Sequence, residues 1–223
     1  EWVIDEALKQ LGEWQKCGVK IPVSVNIGAL QIQQKNFASR LESLLADHPD
    51  IAPSYLELEV LETSALGDVM DASEIMDSCL KLGVTFAIDD FGTGYSSLTY
   101  LRRLPASLIK IDQTFIRDML LDPEDKAIVI GIVALAASFN RKVLAEGVET
   151  IEHGTALLEL GCELAQGYGI ARPMPPDQLP EWANNWKPDA AWHSSSLKLS
   201  ALNQINFWKS EFYNVPLEKD HLR

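Results

Sequence analysis

Six apolar runs in this chain each end on a side chain able to bind metal, move a proton or form a hydrogen bond. VSVN stops at Asn26, YLELE at Glu59, FAIDD at Asp89 and Asp90, LIKID at Lys110 and Asp112, VLAEG at Glu146, and CELAQ at Gln166. Three of these runs together supply four carboxylates, Glu59, Asp89, Asp90 and Glu146. Carboxylates crowded together are unfavourable unless cations neutralise them, so convergence of these ends would call for divalent metal ions.

One kind of fold brings such ends together. Helix-length segments separate most of the runs, and strands alternating with helices imply βα units around a parallel sheet. In a (β/α)8 barrel the strand ends meet at one mouth, where such enzymes place their chemistry. Residues 2–16 put Val3, Ile4, Ala7, Leu8, Leu11 and Trp14 on one helical stripe. The strand IPVSVN follows, then helix 36–47, strand YLELEV, helix 68–82, strand VTFAIDD, a short helix over 96–103 and strand SLIKID. Helix 123–139 precedes KVLAEG, helix 150–160 precedes CELAQG, and YGIAR is read as a seventh strand. An eight-stranded α/β barrel is then one strand short at the front, which places its first strand upstream of Glu1. Residues 1–186 are assigned to the barrel. Residues 187–223 are read as a polar linker, KPDAAWHSSS, followed by an amphipathic docking helix from Leu197 to Tyr213.

Composition narrows the possibilities. The 223 residues are 47% hydrophobic and 23% charged, enough to bury a full core. The uncharged stretch from Ala127 to Phe139 is too short to span a bilayer and is read as a buried helix. No signal peptide is apparent, and a chain starting at Glu1 without Met is read as a fragment. Cys17, Cys79 and Cys162 are few and far apart, which fits reduced, buried or partly buried thiols in a cytoplasmic domain rather than a disulfide framework. A net charge of −13 argues against binding DNA or RNA polymers, which need a basic surface. A small phosphate ligand is still admitted, because bound cations reverse the local field.

The run from Asp89 to Leu98, DDFGTGYSSL, is the most specific stretch. Together with LPASLIKID it resembles the DDFGTGYSSL and KID motifs of the EAL-domain family of cyclic di-GMP phosphodiesterases. SVNIGALQ resembles the family's SVNxSxxQ segment, ELEVLETS its ELEITES, VLAEGVET its AEGVET, and QGYGIARPMP its QGYxxxxPMP. The resemblance runs from residue 1 to about residue 186 with its motifs in the family's order.

It implies an EAL-type barrel that hydrolyses cyclic di-GMP to linear pGpG with two Mg²⁺ or Mn²⁺ ions. Two such ions about 3.5–4 Å apart activate a water and stabilise the leaving oxygen of a phosphodiester. By the same resemblance Asn26, Glu59 and Asp89 hold one ion, while Asp89 bridges to a second held by Asp90, with Glu146 nearby. Lys110 hydrogen-bonds the attacking water or a phosphate oxygen, and Asp112 and Gln166 support the site. Glu62 positions the loop from Gly92 to Ser97, which links the metals to a homodimer contact. The contact residues are expected among Tyr95, Leu98, Tyr100 and Leu101. An upstream sensory or GGDEF domain is implied for the parent chain, which could carry a membrane anchor there. No GG(D/E)EF motif occurs here, so this chain does not synthesise the dinucleotide.

Taken singly, most of these residues have ordinary readings. A lone strand-end Asn or Glu is commonly a solvated loop residue or a helix cap. Glu57 shares strand parity with Glu59 but lies deeper and reads as structural. His48, His153, His193 and His221 lie in no shared motif and read as surface or capping residues. Glu6-Ala7-Leu8 spells the family's name, yet Glu6 is on the opening helix, off its apolar stripe, and is expected to be exposed and to bind no metal. The eponymous glutamate of the family, by the resemblance a metal ligand, belongs to the first strand, upstream of Glu1, and a chain starting at Glu1 without it is expected to be inactive or nearly so. Leu61 stands where the family usually has Thr, and Ser107 where it commonly has Asp. The rival to an enzyme is a non-catalytic receptor for the same dinucleotide, which would usually have lost several metal carboxylates.

Overall fold

The computed structural model describes residues 1–62, 69–94 and 98–193. Its elements run α1 (Trp2–Lys16), β1 (Val23–Ile27), α2 (Ala29–Ile32), α3 (Phe37–Ala46), β2 (Leu56–Leu61), α4 (Val69–Leu80), β3 (Thr85–Phe91) and α5 (Leu98–Arg103). They continue with β4 (Leu108–Ile111), α6 (Gln113–Asp118), α7 (Pro123–Ser138), β5 (Lys142–Ala145), α8 (Ile151–Glu159), β6 (Leu164–Ala165) and α9 (Leu179–Asn185). The strands form one sheet in chain order, β1 through β6, and every neighbouring pair is parallel. Sequential parallel strands joined by helices are the βα repeat of a (β/α)8 barrel, of which this sheet supplies six strands.

Strand parity separates two apolar layers. Leu56, Leu58 and Val60 of β2, with Phe86 and Ile88 of β3 and Ile109 and Ile111 of β4, face the helices and join the main core. Ala87, Leu108, Leu144 and Leu164 form a second, smaller cluster on the inner face. Both faces being covered explains why these strands read as near-continuous apolar runs. Above the inner cluster, the same parity carries Glu59, Asp89 and Lys110 to the C-terminal ends.

Several expectations are corrected. YGIAR makes a turn, not a strand, with the amides of Ile170 and Ala171 each donating to the Gly167 carbonyl at 3.0 Å. Gly167 has φ +152°, and a Cβ there would lie 2.3 Å from the Val148 amide nitrogen, so the chain turns where only glycine allows the approach. Helix α7 is only partly buried. Val129, Ile132 and Ala136 face the core, whereas Ile128 and Ile130 are 39% and 45% exposed. A helix on the outside of a barrel covers the sheet with one stripe, whatever the composition of its other faces. For the same reason Val3 is exposed while Ile4, Leu8 and Leu11 of α1 are buried. Cys17 is exposed, against expectation, while Cys79 and Cys162 are buried.

His153 is also buried, at 6% exposure, with Nε2 3.2 Å from the Arg117 carbonyl. Leu101 is 1% exposed and packs in the core, so it offers no contact surface. Tyr95 and the amphipathic stretch from Leu197 to Tyr213 lie outside the described residues, as do the side chains of Leu98 and Tyr100. The segment read as the start of a linker carries Trp192, whose indole donates to the Ile151 carbonyl of α8 at 3.0 Å. No described helix is long and apolar enough to cross a membrane.

Candidate active site

Lys110 is the centre of the site. It sits on β4, all four of whose residues are buried, and is itself 4% exposed. Its Nζ lies 2.9 Å from Glu59 Oε2, 2.8 Å from Asp89 Oδ1 and 2.8 Å from Glu146 Oε1. Three consecutive strands, β2 to β4, and the residue following β5 therefore meet at one ammonium. Burial works against the charged lysine, but hydrogen bonds to Asp89 and Glu146 and the field of Glu59 and Glu146 outweigh it and hold its pKa above the ordinary lysine value. At neutral pH Lys110 is thus a proton donor in hydrogen bonds, not a base.

The adjacent aspartates pose a geometric problem. On a regular strand neighbours point to opposite faces, which would send Asp90 away from Asp89. Two features solve it. Asp90 has φ +53°, and the β3–β4 register slips between Ile88 and Phe91. Asp tolerates this left-handed backbone better than most residues. With Asp90 re-aimed, ligand oxygens of Asp89, Asp90 and Glu146 all lie within 4.8 Å of one another. Burial, then the charges of Asp89 and Asp112, raise the pKa of Asp90. Burial likewise raises that of Glu146, against the pull of Lys110. One lysine among four carboxylates leaves an excess of negative charge, and such an all-oxygen donor set suits a hard divalent cation.

The remaining candidates have defined places. Asn26 pairs in register with Glu59 and shares its face, but it is exposed on the edge strand β1 and is placed by register. Gln166 is exposed, and its Nε2 donates to Glu146 Oε1 at 2.6 Å. Asp112 caps α6 by accepting from the Thr114 amide at 2.8 Å and is 8% exposed. Glu57 lies one layer below Glu59 and accepts from Ser24 Oγ at 2.8 Å, while burial raises its pKa. Glu6 is exposed and bonded to Lys9, remote from any such cluster.

Glu62, 7% exposed, accepts through Oε2 from the Gly92 amide at 2.9 Å and the Gly94 amide at 3.4 Å. The turn after the aspartates is thus held from β2. Gly92 has φ +104°, and a Cβ there would lie 2.8 Å from Phe115 Cε2, so no other residue fits without displacing that ring. Glu62→Ala leaves two amides without this acceptor. We expect activity about tenfold or more below wild type, with a loss of about 1–3 kcal/mol in stability and a folded protein. Steady-state kinetics beside thermal unfolding check this.

The EAL domain profile matches residues 1–173. The chain belongs to the EAL-domain family. Among its relatives, the bifunctional diguanylate cyclase/cyclic di-GMP phosphodiesterase MucR of Pseudomonas aeruginosa is 44% identical over 180 residues, covering 80% of this chain and 26% of that protein. The cyclic di-GMP phosphodiesterase PA2567 of the same species is 36% identical over 182 residues, covering 82% of this chain and 31% of that protein. The chain therefore spans about a quarter to a third of the length of these curated relatives. The solved MucR phosphodiesterase in complex with c-di-GMP matches with TM-score 0.75, over 80% of this chain and 72% of that one. The EAL domain of Mycobacterium smegmatis DcpA matches with TM-score 0.76 at 31% identity, covering 81% of each chain.

Proposed function

We propose that this EAL domain hydrolyses cyclic di-GMP to linear pGpG. The observation that carries this reading is the convergence of Glu59, Asp89 and Glu146 on Lys110, with Asp90 turned into the same cluster. A receptor has no need of that many mutually repelling carboxylates, whereas a hydrolytic metal centre does. Asn26, Glu59, Asp89, Asp90 and Glu146 would hold two divalent cations, Mg²⁺ or Mn²⁺, which would supply Lewis acidity at the scissile phosphate and lower the pKa of water.

The chain's own residues do the rest. Lys110 stays protonated and donates to the attacking water or to a phosphate oxygen, where negative charge grows as the water oxygen bonds to phosphorus and the P–O3′ bond breaks. Gln166 fixes the Glu146 carboxylate by donating to one of its oxygens. Asp112 anchors the start of α6 beside Asp90, and Glu62 holds the glycine turn that follows the aspartates. A homodimer and further upstream domains belong to the same proposal for the whole protein.

Incubation of the whole protein with labelled cyclic di-GMP and Mg²⁺ or Mn²⁺ tests the reading. It predicts multiple turnover and pGpG as the first product. Tight binding without turnover would instead favour the receptor.

A further inference from the structure

Trp192 lies beyond the family match, which ends at residue 173, and yet it is fastened to the element that follows Glu146. Its indole Nε1 donates to the Ile151 carbonyl, in the first turn of α8, at 3.0 Å. Its ring rests on Gly154, where a Cβ would come within 2.5, 2.6 and 2.8 Å of Nε1, Cε2 and Cζ2. A glycine inside a helix costs about 1 kcal/mol relative to alanine, so this one carries a penalty that the seat for an indole accounts for. At its other end the same segment is tied to α1, because Trp14 Nε1 donates to the Pro176 carbonyl at 2.8 Å. Between the two ties stand α9 and the tilted ring pair Trp182 and Trp186, with centroids 5.9 Å apart.

The first turn of α8 is a junction. Thr150 caps it, accepting from the His153 amide at 3.3 Å, and only the loop 147–149 separates Thr150 from Glu146. That loop is pinned on its other side, where the Val148 amide donates to the Gln166 carbonyl at 2.9 Å. His153, in the same turn, reaches the Arg117 carbonyl of α6, the helix that Asp112 caps. A displacement of this turn would reach Glu146 through the loop 147–149 and Asp112 through α6.

We propose that residues 174–193 form a strap, integral to the catalytic domain, whose Trp192 is a positioning residue that sets Glu146 through the first turn of α8. The strap makes no contact with substrate in this account. The proposal rests on the metal-centre reading above, and a readout that needs no turnover distinguishes failure of the two.

The test compares Trp192→Ala, Trp192→Phe and Gly154→Ala with the wild-type full chain. For each, the Mn²⁺ binding midpoint is measured by calorimetric titration without substrate, and the Mn²⁺ dependence of hydrolysis and the melting temperature of the metal-free protein are measured beside it. Trp192→Ala should move both metal midpoints up by about tenfold, in the range seen when groups supporting metal ligands are removed. Trp192→Phe keeps the ring on Gly154 but has no N–H, and should fall between. Gly154→Ala is the discriminating variant. It favours the helix by about 1 kcal/mol while evicting the indole, so its metal midpoints should rise as in Trp192→Ala although the metal-free protein loses less stability than that variant does. Melting temperatures that fall in the Trp192 variants with metal midpoints unchanged in all three would overturn the proposal, leaving the strap a packing element. Shifted binding midpoints in a protein that never hydrolyses the dinucleotide would sustain the strap and sink the proposed activity instead.

Discussion

Replacing Lys110 by alanine lowers kcat for cyclic di-GMP by about 10²–10³-fold and leaves ligand affinity within roughly tenfold, because its ammonium matters most where charge develops in the transition state. The same substitution has a second effect that ties it to this geometry. Glu59, Asp89 and Glu146 all contact the Lys110 ammonium, and removing it strands buried negative charge. In the absence of metal this costs about 3–5 kcal/mol. On the proposed reading divalent cations bind the native cluster and not the unfolded chain, so they should raise the melting temperature of Lys110→Ala more than that of wild type. The sign with pH is fixed as well. A lysine whose folded pKa is raised contributes stability that is complete below its unfolded pKa and is lost as pH rises through the folded one, so the contribution is whole at neutral pH. Kinetics and calorimetry on the two proteins measure each part. Equal losses of binding and turnover would make Lys110 a ligand clamp.

Asp90→Asn separates activity from stability in opposite directions. Asparagine keeps the shape and accepts the left-handed backbone at φ +53°, but it loses the charge that a cation needs. Hydrolysis should fall by about 10²-fold or more. The pKa of Asp90 is raised by burial and by its acidic neighbours, so the metal-free fold gives up stability as pH rises through that raised value. Removing the titrating group removes that loss. The metal-free variant should melt higher than wild type at neutral pH, and its stability should vary less between acid and neutral pH. A lower melting temperature would mean that Asp90 is held by contacts other than the acidic cluster.

Most of the fold was legible because parallel strands buried on both faces leave unbroken apolar runs, and a polar residue ending each run marks the mouth. That reasoning placed Glu59, Asp89, Lys110 and Glu146 together. It could not show how Asp89 and Asp90 share a face, since the left-handed turn at Asp90 leaves no periodic trace. The only signal was Asp itself, followed by Gly92. Helix α2, of 4 residues, is too short for periodicity to declare it. The exposed side of α7 was hidden by a composition that is apolar all round. YGIAR carries strand-forming residues, but Gly167 and Gly169 lie against the backbone of Val148 and Glu149 and bend the chain. Trp192 sits in a polar stretch, and its partner Ile151 is 41 residues away, a pairing that no local pattern encodes.

The most direct measurement is hydrolysis of cyclic di-GMP by the chelated protein and by the same protein after Mg²⁺ or Mn²⁺ is restored. If the carboxylates around Lys110 form a hydrolytic metal centre, chelation abolishes formation of pGpG and added metal returns it. Undiminished hydrolysis after thorough chelation would contradict that account.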